Sequence, residues 1–181
     1  MNTAPVSVVP LGTVDATSLE PIMASLTGRY PLTFRCDSRD VAGSIEVAAD
    51  PVAARPITDQ LAAECSQEPL IGVTDCSVYI DDAVERPQLW GYLDWTAGVS
   101  VISRRDLTAP TTDGGDPPDE SSITARLHER LAHHAGHLYG LEHCSDRRCI
   151  MGAARTLDDI DMKSTRLCGS CQRQLSGEAV D

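Results

Sequence analysis

His133, His137 and His143 are three imidazoles at a spacing that can converge on one cation. The first two are four residues apart, so on a helix they share one face, about 6 Å apart along the axis. Two imidazoles so placed can close on one zinc at about 2.0 Å each. Gly140 is placed to end the helix and redirect the chain, and His143 then arrives as the third ligand. Three protein ligands leave a fourth position for water, the pattern of a zinc site that does chemistry. Four of the chain's five histidines fall within residues 133–143, which makes a chance cluster of surface histidines the weaker alternative.

Cysteines follow at once. Cys144, Cys149, Cys168 and Cys171 form two short spacings across a long insert, a pattern suited to a four-thiolate structural zinc. Disulfides and an iron–sulfur cluster are the alternatives. The other three cysteines, Cys36, Cys65 and Cys76, are scattered through predicted core elements and read as buried free thiols. The first residues carry no basic segment ahead of a long apolar run, so no signal peptide is expected. A reducing, cytoplasmic setting follows, in which metal ligation outcompetes disulfides. No apolar run approaches the roughly 20 residues of a membrane helix. A net charge of -12 repels nucleic acid phosphate and anionic lipid, so neither partner is expected; simple solubility explains the same acidity.

The elements that must position these ligands are legible from periodicity. At 181 residues the chain suits one domain, with residues 118–175 as a metal-binding half and 176–181 as a tail. Val6 to Gly12 and Pro31 to Cys36 read as strands. Leu70–Val73 and Cys76–Ile80 read as strand pieces, taken as one strand broken near Asp75. Gln88–Trp95 reads as an edge strand, and Ala97–Ser103 as an interior one. Helical spacing marks Asp15–Leu26, with Asp15 or Ser18 as N-cap, and Pro56–Gln67. Thr108–Asp119 is rich in Pro, Gly, Thr and Asp and reads as a loop. From Ser121 or Ser122 a long helix begins, with Ile123, Leu127, Leu131, Ala135 and Leu138 as its apolar stripe. The fold class expected is α/β: a mixed, mostly parallel sheet with an antiparallel edge strand, a long active-site helix and a zinc-stabilised C-terminal segment.

The histidine spacing has the frame of the zinc-protease motif H-E-x-x-H-x-x-G-x-x-H, with His134 where the glutamate stands. Joined to Cys144-x4-Cys149-x-Met151 and Cys168-x-x-Cys171, it resembles the archaemetzincins, compact zinc proteases of the metzincin group. The likeness extends upstream to Leu70–Asp75, the Leu89-Trp-Gly-Tyr92 region and Val101–Leu107, and downstream to Leu157–Lys163. It covers roughly residues 5 to 175. The resemblance implies two zinc ions per chain, one on the three histidines and one on the four cysteines. It also implies a Met-turn at Met151 and a peptide or protein substrate. The edge strand would line the cleft, with Trp90, Gly91 and Tyr92 against an extended peptide.

His134 is the candidate base. In such proteases the glutamate takes a proton from the zinc-bound water and passes it to the leaving amine. An imidazole has similar reach and a pKa near 6.5, but a neighbouring zinc disfavours its protonated form. Three outcomes stay open: a non-catalytic peptide-binding pseudoprotease, a weak or differently tuned hydrolase using His134, and a site in which His134 is an inhibitory fourth ligand. Glu129, one turn earlier, should lean away from the metal and reads as a solvated residue.

Overall fold

The computed structural model describes residues 4–37, 50–64, 68–80, 88–111 and 116–177. Its centre is a five-stranded sheet. Strands β1 (Val6–Leu11), β2 (Phe34–Cys36), β4 (Leu70–Thr74), β7 (Gly91–Asp94) and β8 (Val99–Ser103) lie in the order β2-β1-β4-β8-β7. The first three pairings are parallel, and β7 joins β8 antiparallel at the edge. The mixed, mostly parallel sheet with its antiparallel edge is therefore as the sequence predicts.

Strand alternation divides the apolar residues between two layers. Val6, Val8, Ile71, Val73 and Ile102 point to one face. That face is covered by α1 (Ala16–Arg29) and the long helix α3 (Glu120–Leu138). Val9, Leu11, Leu70, Val99 and Val101 point to the other, beneath α2 (Ala54–Glu64). Burial on both faces explains why β1, β4 and β8 are apolar almost throughout. Gly72 lies in the tighter layer, where a Cβ would come within 2.7 Å of Leu11 and 3.0 Å of Leu61. Two short helices, α4 (Leu157–Asp161) and α5 (Gly169–Ser176), complete the C-terminal segment.

Three expectations need correction. Leu70–Val73 and Cys76–Ile80 are not one broken strand, since β5 (Val78–Tyr79) sits in a separate small sheet with β3 (Val52–Ala53) and β6 (Gln88–Leu89). Asp106 holds that turn by accepting hydrogen bonds from Ser77 Oγ and the Val78 amide. Gln88–Trp95 is likewise two strands, parted at Trp90, with β6 in the small sheet and β7 in the large one. The long helix starts one residue early, because the Asp119 carboxylate accepts from the Ser122 amide and caps it. Within the loop read at Thr108–Asp119, residues 112–115 lie outside the described residues, and so does Cys65. Among the described residues no helix is long and apolar enough to cross a membrane.

The helix α3 is held from both ends. Leu127 and Leu131 are buried in the sheet-facing core. Arg126, 3% exposed, pairs bidentately with Asp161 and donates to the carbonyls of Leu107 and Ala109. Shortening Leu131 to Ala should cost about 2–5 kcal/mol in urea unfolding, the range for a buried leucine whose cavity cannot collapse.

Candidate metal centre

Helix α3 carries His133 and His137 on one buried face. It ends in a Schellman turn: Gly140 has φ +87, its amide donates to His137 O, and the Leu141 amide donates to Gly136 O. That reversal carries His143 back beside the helix. One ring nitrogen from each of His133, His137 and His143 lies within 4.8 Å of the others.

The proton positions on two of these rings follow from their partners. His133 Nδ1 is 2.8 Å from Ile150 O, and His137 Nδ1 is 2.7 Å from Leu141 O. A carbonyl only accepts, so both Nδ1 atoms carry the hydrogen. Burial pushes the His133 pKa well down and that of His137 down to about 4, so both rings are neutral near pH 7. Each Nε2 is then a bare lone pair, and the two stand 3.0 Å apart. Two facing lone pairs repel unless a cation lies between them. Ligand nitrogens on a tetrahedral zinc are separated by about 3.3 Å, given bonds of about 2.0 Å. The pair therefore fits a metal, and it is oriented by the backbone carbonyls that usually serve metal-binding histidines.

The cysteines form a second group. The sulfurs of Cys144, Cys149, Cys168 and Cys171 all lie within 4.8 Å of one another. The Cys144–Cys168 and Cys149–Cys171 separations are 3.7 and 3.8 Å. A disulfide needs about 2.05 Å. Sulfurs on a tetrahedral zinc stand about 3.8 Å apart, given bonds of about 2.3 Å. Backbone hydrogen bonding from the Cys171 amide draws the Cys168 thiol down to about 7, which favours a thiolate there, whereas burial raises Cys149 and Cys171. The two groups are tied through the backbone: the Cys144 amide donates to Met151 O, and Cys144 bridges Gly152. Met151 is buried and packs its sulfur against Gly136, leaving no room there for a Cβ.

The comparisons with known proteins fall on the same residues. The model of Peptidase family M54 matches residues 117–177. An archaemetzincin from Natronomonas pharaonis is 30% identical over 173 residues, covering 94% of this chain and 98% of that one. The chain belongs to the archaemetzincin family. A second archaemetzincin, from Halobacterium salinarum, is 31% identical over 174 residues, covering 93% and 97%. The crystal structure of the Methanopyrus kandleri archaemetzincin superposes with TM-score 0.69 at 20% identity, covering 96% of this chain and 94% of that one.

Against this archaemetzincin frame, His134 takes an unexpected place. It is not part of the three-histidine cluster. Its ring is buried between α3 and the sheet, with Nδ1 2.5 Å from Ser100 Oγ. Ser100 gives its one hydrogen to Tyr92 O, so its oxygen accepts from His134 Nδ1–H. On the other side the ring abuts β7 at Gly91, where a Cβ would come within 2.8 Å of His134. Burial, then the charge of Arg130, pushes the His134 pKa well below its usual value. Ser100 was missed by sequence reasoning, although a serine inside the apolar run Val99–Ile102 was its signal.

Other expectations change with the geometry. Glu129 is not solvated. It is 5% exposed and accepts from Arg130 and from Lys163 Nζ, each at 2.6 Å. Lys163 also donates to Ile150 O, the carbonyl that holds His133. Cys36 and Cys76 are half-buried rather than core thiols. Trp90 packs on the main core and Tyr92 on the second one, so both are half-buried. A cleft beside the histidines is lined by Trp95, Gly140 and Glu142 with His137 and His143.

Two outcomes follow. Glu129→Gln leaves a buried lysine uncompensated, and should cost about 3–5 kcal/mol by urea unfolding. In the metal-free protein, depressed histidine pKa values mean stability is full above pH 6.5. It should be lost as pH falls towards about 4, because the unfolded chain binds protons that the folded rings refuse. Chemical denaturation across that window checks this, and His137→Gln should flatten the slope.

Proposed function

We propose that this archaemetzincin is a two-zinc, peptide-binding protein whose hydrolytic step is crippled at His134. His133, His137 and His143 would hold one zinc, and Cys144, Cys149, Cys168 and Cys171 the other. Bound at the histidines, zinc would polarise a peptide carbonyl and acidify water. The cysteine zinc would fasten the turn after His143 to α5. Met151 would floor the histidine site as a Met-turn.

The observation that carries the reading is the placement of the His134 ring, held between Ser100 and Gly91 and outside the three-histidine cluster. A general base must face the attacking water, accept its proton and release it to the leaving amine. Nδ1 of His134 is engaged by Ser100, and its Nε2 edge abuts Gly91 on β7 rather than joining the three-histidine cluster. Such a side chain works as a strut between α3 and the sheet. Its exclusion from the histidine cluster also disfavours an inhibitory fourth ligand. Loss of general acid–base help costs about 10² to 10⁴ in rate. Peptide binding does not need it, and β7, which ends the sheet among the described residues, offers an edge for an extended peptide.

Metal analysis should find two zinc per chain, falling to one in His137→Ala. One zinc in the parent after zinc loading would contradict the assignment. With a peptide library, His134→Glu should raise turnover above the parent. Brisk parental turnover that His134→Ala abolishes would make His134 a working base and overturn the pseudoprotease reading.

A further inference from the structure

The cleft beside the three histidines has a wall that the zinc motif does not specify. It encloses about 500 Å³ and is lined by Trp95, His137, Gly140, Glu142 and His143. Trp95 follows directly on β7 and is 60% exposed, one of only two large hydrophobic side chains so exposed among the described residues. It is not stray surface: its ring meets the edge of the His137 imidazole at 4.9 Å, inclined at 67°. The indole is thus anchored at its inner side and open to the cleft on the rest. Glu142, which lines the same cleft, sits between Leu141, whose carbonyl orients His137, and His143. Its side chain is exposed. The hydrogen bonds and ion pairs of the described residues leave this carboxylate without a cation.

We infer that Trp95 and Glu142 form a specificity subsite that takes a basic side chain, lysine or arginine, of the peptide held at the histidine centre. This rests on the reading of that centre as a peptide-binding zinc site. An indole face attracts a guanidinium or ammonium through its quadrupole. A carboxylate lining the same cleft supplies the counter-charge, and a chain of net charge -12 favours the approach of a cationic peptide. An apolar side chain would stack on Trp95 but would gain nothing from Glu142. An acidic one would face like charge.

The test uses N-acetyl-arginine hydroxamate and its neutral isostere, N-acetyl-citrulline hydroxamate, titrated calorimetrically into the zinc-loaded full chain. Acetohydroxamate serves as the bare zinc-binding probe. The arginine compound should bind about tenfold more tightly than the citrulline compound, combining an exposed cation–π contact with an exposed ion pair. Glu142→Gln should abolish that difference while leaving acetohydroxamate binding unchanged, and Trp95→Ala should shrink it. Equal binding of the two isosteres, or an arginine preference that survives Glu142→Gln, overturns the subsite alone. Failure of all three hydroxamates to bind overturns the zinc-site reading and the subsite with it.

Discussion

Two backbone carbonyls, Ile150 O and Leu141 O, fix the hydrogens of His133 and His137 on Nδ1 and so leave two bare Nε2 atoms 3.0 Å apart. Much of the C-terminal half exists to keep those carbonyls in place. Leu141 O is delivered by the Schellman turn at Gly140. Ile150 O is delivered by the segment after Cys149, which Lys163 secures. The lysine is held in turn by Glu129, one helical turn before His133. A buried charge network is weak evidence for stability by itself. Here its geometric effect is clear, because it fastens the linker to the helix that bears the ligands.

The same helix has a second obligation. Its His134 faces the sheet, and the polar partner it needs is Ser100 on an otherwise apolar strand. Gly91 makes room for the ring at the edge strand. Ser100, Gly91 and His134 therefore form one matched set: a larger residue at 91 would strike the ring, and an apolar residue at 100 would strand its Nδ1–H. A glutamate substituted here would lose the imidazole's contacts with Ser100 and Gly91. The family frame and the local packing thus pull in different directions at this single position.

The sequence carried the sheet well, because β1, β4 and β8 are buried on both faces and so read as continuous apolar runs. The two groupings that could hold a metal were legible because metal chemistry fixes residue types and short spacings. The failures have one physical source, contacts between distant segments. Glu129 was judged from the lean of its own helix, but its partner Lys163 lies 34 residues away. The split at Trp90 depends on two different sheets competing for adjacent strands. Trp95 and Glu142 carry no motif at all, and only the folded cleft brings them together beside the histidines.

The central claim is that two tetrahedral metal sites of different chemistry lie side by side on this segment. Zinc-edge X-ray absorption on the metal-loaded protein addresses it most directly. The account predicts a mixed first shell, with sulfur at about 2.3 Å and nitrogen at about 2.0 Å. The nitrogen part should be lost selectively in His137→Ala and the sulfur part retained. A shell of sulfur alone in the parent would contradict it.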